Sequence, residues 1–324
     1  MDFRLDAEQL ALQATMRAFC ADQIPLSGIA DRELQRTADS VWNGLAELGA
    51  FGLLADADGD AAAVEAVVAF EVLGQALVPG PVLWSTICAE LVPAAATGAT
   101  RVTGLVAPES NGVAVVPHAD ECNVVAVLHP DRVELIESAQ LSGGMGGTPL
   151  DPLTPYVGYP ELPRGTAAGD APAADRIRRR GTALASAMLV GIAQGALDTA
   201  RDYAMEREQF GKPIGSFQAV KHLLADMFVK VELARSATYA AAAAMADPKV
   251  GESRRAGSVA KLLAGEAAIA NSRSAIQILG GMGFTWDMLP HYYLKRAWVL
   301  ENTFGTSTAH GIAIAAAIDA EDAA

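Results

Sequence analysis

The stretch from Gln218 to Ala246 narrows the fold more than any other, because Val220, Leu224, Met227, Val231 and Ala234 recur in it by alternating steps of four and three. That spacing is the buried seam of one long α-helix packed lengthwise on others. At about 1.5 Å per residue the helix spans roughly 40 Å, longer than a small bundle needs, and Asp247-Pro248 ends it. Ala183 to Met205 is apolar almost all round, as expected of a helix inside a bundle. Two more helices are expected, from about Ser253 to Gly280 and from about Phe304 to Ile318, completing a C-terminal four-helix set.

Upstream the texture changes. Leu5, Gln9, Leu12, Met16 and Phe19 recur at helical intervals, and further helices are expected near Leu34 to Leu48 and Ala61 to Leu77, before Pro79-Gly80-Pro81. From Val102 the runs GVAVVP, CNVVAVL and RVELIE, separated by turn residues, predict a small antiparallel sheet. Ser142 to Arg164 reads as loop, and Thr166 to Ala174 as a linker of small residues. The fold class is mainly α with a small β domain. Its expected parts are an N-terminal helical domain over residues 1–95, a shortened β domain with linker over 96–170, and the helical bundle over 171–324.

A chain of 324 residues, 51% hydrophobic and 19% charged, can bury a sizeable core. Its net charge of −14 repels nucleic-acid phosphates and anionic membranes. The one local basic run, Arg176 to Arg180, reads as a solvated charge run, with the phosphates of a bound ligand or an acidic neighbouring subunit as the alternative contact. The start at Met1 lacks a signal-peptide pattern, and no run reads as a membrane span, so a cytoplasmic protein without membrane or nucleic-acid partners is expected. Cys20, Cys88 and Cys122 are expected to be reduced buried thiols. His222 and Asp226 are expected to be a helix-surface pair, since two ligands do not make a metal site.

Two segments carry chemistry. Glu206-Arg207-Glu208-Gln209-Phe210-Gly211 places a fixed cation beside a flat apolar face, which suits a pyrophosphate and an adenine ring; a surface salt bridge beside a helix stop is the plainer reading. Gln277-Ile278-Leu279-Gly280-Gly281-Met282-Gly283 lets backbone amides approach an anion closely, and is otherwise a simple helix C-cap. A Rossmann reading fails, because neither this segment nor Gly143 to Gly147 sits between a β-branched strand and a helix.

Together the two segments resemble the C-terminal helical domain of the acyl-CoA dehydrogenase family, flavoenzymes that remove two hydrogens from the α and β carbons of an acyl-CoA thioester. The resemblance covers the whole chain and is strongest from Ala183 onward. It implies FAD as cofactor, reached across a subunit interface. Arg207 would grip the pyrophosphate, Phe210 would pack on the adenine, and Gln218 would contact the adenosine half. Gln277, Gly280 and Gly281 would serve the adenosine diphosphate.

Dehydrogenation also needs a positioned carboxylate to take the α proton. Family members carry it in a Tyr-Glu-Gly-Thr string before the last helix, where this chain has Thr303-Phe304-Gly305-Thr306, or on the helix before the flavin corner, a position that falls near Gly181. Neither Phe304 nor Gly181 can accept a proton, and Glu301, one turn from Phe304, is the local substitute. The turn and Trp-containing strand that hold the isoalloxazine ring in the family are replaced by Val106 to Gly112 and a stretch without Trp between Trp84 and Trp286. The implied function is one subunit of a heteromeric α2β2 acyl-CoA dehydrogenase, similar to the base-lacking subunits that actinobacteria use on steroid side chains. A homologous partner would carry the Glu and most acyl-CoA contacts, with an electron-transfer flavoprotein-like acceptor. The alternatives are a homotetramer with Glu301 as displaced base, or a flavin-free structural subunit.

Overall fold

The computed structural model describes residues 4–55, 59–107 and 112–322, so most of the Val106 to Gly112 turn, like the first residues of the chain, lies outside the described residues. Helix α1 (Ala7–Gln23) opens on a capping box between Asp6 and Gln9. It is followed by α2 (Asp39–Glu47), α3 (Ala63–Gln75) and the short α4 (Val82–Ile87) and α5 (Pro93–Ala96).

Seven strands form the middle region: β1 (Val102–Val106), β2 (Ala114–Pro117), β3 (Val124–Leu128), β4 (Val133–Glu137), β5 (Met145–Gly146), β6 (Tyr156–Tyr159) and β7 (Thr166–Gly169). They make two sheets, ordered β1-β3-β4-β7 and β2-β6-β5, where a single antiparallel sheet is expected from the sequence. Strand β2 leaves for the second sheet, so β1 lies parallel to β3, with Val102 opposite Val124. Every residue of β3 is buried, as in strands covered on both faces. The segments expected to be loop and linker contain β5, β6 and β7. These strands are too short to show a period of two and form by pairing with distant neighbours.

The expected four long helices are α6 (Ala171–Glu206), α7 (Gln218–Ala246), α8 (Ser253–Leu279) and, after the additional α9 (Pro290–Glu301), α10 (Ser307–Asp322). Between α6 and α7 lies a two-strand hairpin, β8 (Glu208–Gln209) and β9 (Lys212–Pro213). By length and composition α6 could cross a membrane, yet 83% of its most apolar stretch is buried inside the protein, and it is the core helix. It meets α3 backbone to backbone: a Cβ on Gly191 would lie 2.0 Å from the Glu71 carbonyl oxygen. Cys20, Cys88 and Cys122 are free and buried, and burial pushes the Cys20 and Cys88 thiols up to about 12.

The arginine run corrects the expectation of a solvated charge cluster. Because α6 begins at Ala171, capped by Asp170, the run sits inside the helix and faces the N-terminal domain. Arg180 is 0% exposed, with Nε donating to Asp60 (2.8 Å) and Nη1 to Glu90 (2.8 Å) and the Leu54 carbonyl (3.0 Å). Arg176 binds Glu90, Arg179 binds Asp60 and Asp175, and Arg178 donates to the His129 carbonyl. The run is a bolt between domains, and its charges are spent internally.

A second bolt is the buried pair of Arg296 on α9 and Asp151 before β6, with Arg296 also donating to the Val78 carbonyl at 2.8 Å. Removing one partner leaves an uncompensated buried charge, at a cost of about 3–5 kcal/mol. Arg296→Met is therefore expected to lower the unfolding free energy by about that amount, and the double variant with Asp151→Leu by clearly less. Chemical denaturation of the three proteins checks this; equal losses in single and double variants would contradict it.

Candidate functional site

The bundle brings the sequence-predicted residues to its two ends. Helix α8 runs parallel to α6: Gly257 lies beside Thr182, and the Asn271 amide donates to the Ala193 carbonyl (3.2 Å). Helix α7 starts beside the end of α6, where Gly215 packs under Ala204. Arg207 at the end of α6, Gln218 at the start of α7, and Gln277, Gly280 and Gly281 at the end of α8 therefore share one end of the bundle. All of them are exposed.

The corner read as a helix stop is a tight hairpin. Phe210 (φ 55°) and Gly211 (φ 76°) both take left-handed backbone, the requirement of a two-residue type I′ turn. Phe210 stands at the tip with 92% of its surface exposed, edge-on to Phe217 at 6.1 Å. The Arg207 side chain has no acceptor among the described residues. Gly280 adopts φ 60° and ψ −133°, which only glycine tolerates, and a Cβ on Gly280 or Gly281 would meet nothing within 4 Å. This end offers a free guanidinium, an upright aromatic ring and bare backbone. It can hold a phosphate and a flat ring from one side only.

The other end is filled. Phe304 (φ 59°, 5% exposed) lays its ring on Gly181, where a Cβ would sit 2.3 Å from the ring. Trp84 of α4 stacks on Phe304 with centroids 4.9 Å apart and in turn covers Gly104 of β1, at 2.5 Å from a Cβ built there. One apolar column thus joins the N-terminal domain, the sheet, α6 and the 301–305 turn. The two positions singled out as alternative base sites are brought into direct contact, and no titratable group stands between them.

Lys261 and His310, not singled out from sequence, lock that turn. Lys261, fully buried on α8, donates to the carbonyls of Glu301 (2.9 Å) and Gly305 (2.8 Å); His310 meets the Phe304 carbonyl (3.0 Å) and Ser258 (3.1 Å). A signal existed: Lys261 falls on the stripe Gly257, Ala260, Ala264, Ala268, where the helical period demands small apolar residues. The Glu301 carboxylate accepts from the Ser307 amide (2.7 Å) and so caps α10. Exposed His222 and Asp226 lie on α7, and no group of metal-ligating side chains occurs among the described residues.

Gly181 and the hairpin at Arg207 lie 26 residues apart along one helix, about 39 Å at 1.5 Å per residue. The two ends are therefore held far apart.

Comparison with known proteins bears on this geometry. Residues 179–318 match the model described as Acyl-CoA dehydrogenase, C-terminal domain, and residues 6–103 that described as Acyl-CoA dehydrogenase, N-terminal domain. Among curated proteins, the acyl-CoA dehydrogenase IpdE2 of Mycobacterium tuberculosis is 32% identical over 282 residues, 80% of each chain. FadE34 of the same organism is 44% identical over 133 residues, 41% of this chain but only 19% of FadE34. Among solved structures, the Tcur3481-Tcur3483 steroid ACAD G363A variant superposes with a TM-score of 0.83 at 24% identity, covering 98% of this chain and 99% of that one.

Burial brings the Lys261 ammonium down from its ordinary range to about 8, against a smaller opposing pull from Glu301. The folded state then binds fewer protons than the unfolded state between about pH 8 and the ordinary lysine value, so the contribution of Lys261 to stability rises with pH through that window. Relative to Lys261→Met, the wild type is expected to gain up to about 3 kcal/mol between pH 8 and 10.5. Parallel unfolding curves with a pH-independent difference would contradict this.

Proposed function

The chain belongs to the acyl-CoA dehydrogenase family, and from that premise we propose that it works as the base-lacking subunit of a heteromeric FAD enzyme. The carrying observation is the separation of the two ends of α6. One end has the shape to hold the adenosine half of FAD, while the other, where this chain's own acyl group would react, is packed solid.

Arg207 would pair with the pyrophosphate and Phe210 would cover the adenine. Gln218, Gln277 and the amides at Gly280 and Gly281 would serve ribose and phosphate oxygens. Their one-sided exposure suits a cofactor seated mainly on a neighbouring chain. Bound FAD supplies the two-electron acceptor for α,β-dehydrogenation of an acyl-CoA. What this chain adds is binding and orientation, and Phe304 on Gly181 keeps water and thioester out of its own cavity. The catalytic carboxylate and most acyl-CoA contacts belong to a homologous partner in an α2β2 assembly, reoxidised by an electron-transfer flavoprotein-like acceptor. The name of the Tcur3481-Tcur3483 neighbour pairs two proteins and calls them a steroid enzyme, which supports a paired assembly acting on a steroid side-chain thioester. Glu301 as displaced base is disfavoured by its engagement with the Ser307 amide.

Arg207→Glu, co-expressed with the partner, is expected to leave the assembly intact and strip most of its flavin absorbance and activity. Phe304→Glu is expected to restore no activity to this chain, because the new carboxylate would be trapped against Gly181 and Trp84. Flavin content unmoved by Arg207→Glu would reduce the chain to a scaffold.

A further inference from the structure

A groove of about 920 Å³ runs between α1 on one side and α3, α6 and α7 on the other. Nothing in the proposed reaction uses it. One wall is a continuous polar chain: the Tyr239 hydroxyl donates to Glu71 (2.8 Å), and Arg235 donates to Glu71 (2.9 Å) and Gln194 (2.8 Å). Gln194 and Gln75 then donate to Asp198 (3.1 and 2.9 Å). The opposite wall is hydrocarbon, from Leu5, Ile24 and Leu26, with Val72 and Ala76 below.

The polar wall is satisfied within itself, since Glu71 is bound by Tyr239 and Arg235 and Asp198 by Gln194, Gln75 and Arg201. Capacity remains on α1. Gln13 and Arg17, one turn apart, line the same groove, and their side chains have no partner among the described residues. Of the cations lining the groove, Arg201 pairs with Asp198 and Asp202 and Arg235 pairs with Glu71 and Glu232, so Arg17 is the one without an ion pair among the described residues.

We propose that this groove binds a bulky, mostly hydrocarbon carboxylate, with its acid group on Arg17 and Gln13 and its body on the Leu5, Ile24 and Val72 side. A guanidinium beside an amide matches the two oxygens of one carboxylate. A doubly charged phosphate would meet Glu71 and Asp198 nearby, and the apolar wall has no aromatic ring on which a base could stack. The volume lies at the upper end of small-molecule sites, about 300–1,000 Å³, and is wider than one slender alkyl chain fills. This inference is independent of how the chain contributes to the flavin site.

The test is titration calorimetry of the purified protein, alone or in its complex, with cholate below its micellar concentration as bulky probe. Dodecanoate serves as slender probe and cholate methyl ester as uncharged control. One saturable cholate site per chain is expected, weakened about tenfold or more both by Arg17→Glu and by esterification, with Gln13→Glu acting in the same direction. Neither side chain belongs to the buried core, and unchanged thermal unfolding confirms that the variants fold. Absence of saturable binding, indifference to Arg17→Glu or to esterification, or dodecanoate binding as tightly as cholate each overturns the proposal.

Discussion

The ring of Phe304 resting on the bare α-carbon of Gly181 is the contact on which the rest depends. It requires a glycine on α6, because any side chain there would occupy the ring's volume. It also requires a left-handed backbone at Phe304, an arrangement that costs about 1–2 kcal/mol for a residue other than glycine. Burying the ring returns about 2 kcal/mol, and its stacking on Trp84 adds about 0.5–1.5 kcal/mol. The contact makes Phe304 part of the hydrophobic core and joins three regions of the molecule, and under the proposed reading it fills the space that a reacting acyl group would need.

The opposite end of α6 has the reverse economy. Phe210 also takes left-handed backbone, yet its ring stays almost wholly in solvent, so the isolated chain recovers only the edge contact with Phe217 for the strain. An exposed ring on a strained tip beside an unpaired arginine, at the same end of the bundle as two open glycines, is intelligible as a surface built for something absent from the single chain. Since α6 is one rigid helix bolted to the N-terminal domain through Arg180, the filled end and the open end are held far apart.

Much of this was legible in the sequence. The seam of α7 and the apolar α6 show in their periods, whereas Arg207, Phe210 and the Gly280-Gly281 pair stand out only through the family resemblance, since local composition alone reads as a helix stop and a C-cap. The contact between Phe304 and Gly181 was not legible, because it joins positions more than a hundred residues apart whose only shared signal is the lack of a carboxylate. Strands β5 to β7 were hidden by their shortness, and the Arg176 to Arg180 bolt by the loop-like composition just before it. Lys261 stood on a buried stripe where the helical period already demanded a small apolar residue, so it could have been found.

The most direct measurement is the flavin content of the chain purified alone, beside that of the assembly with its homologous partner. A division of labour predicts no stoichiometric FAD and no acyl-CoA desaturation for the chain alone, and one FAD for each pair of unlike chains in the assembly. A lone chain that purifies yellow with one FAD per polypeptide and desaturates a thioester would contradict the account.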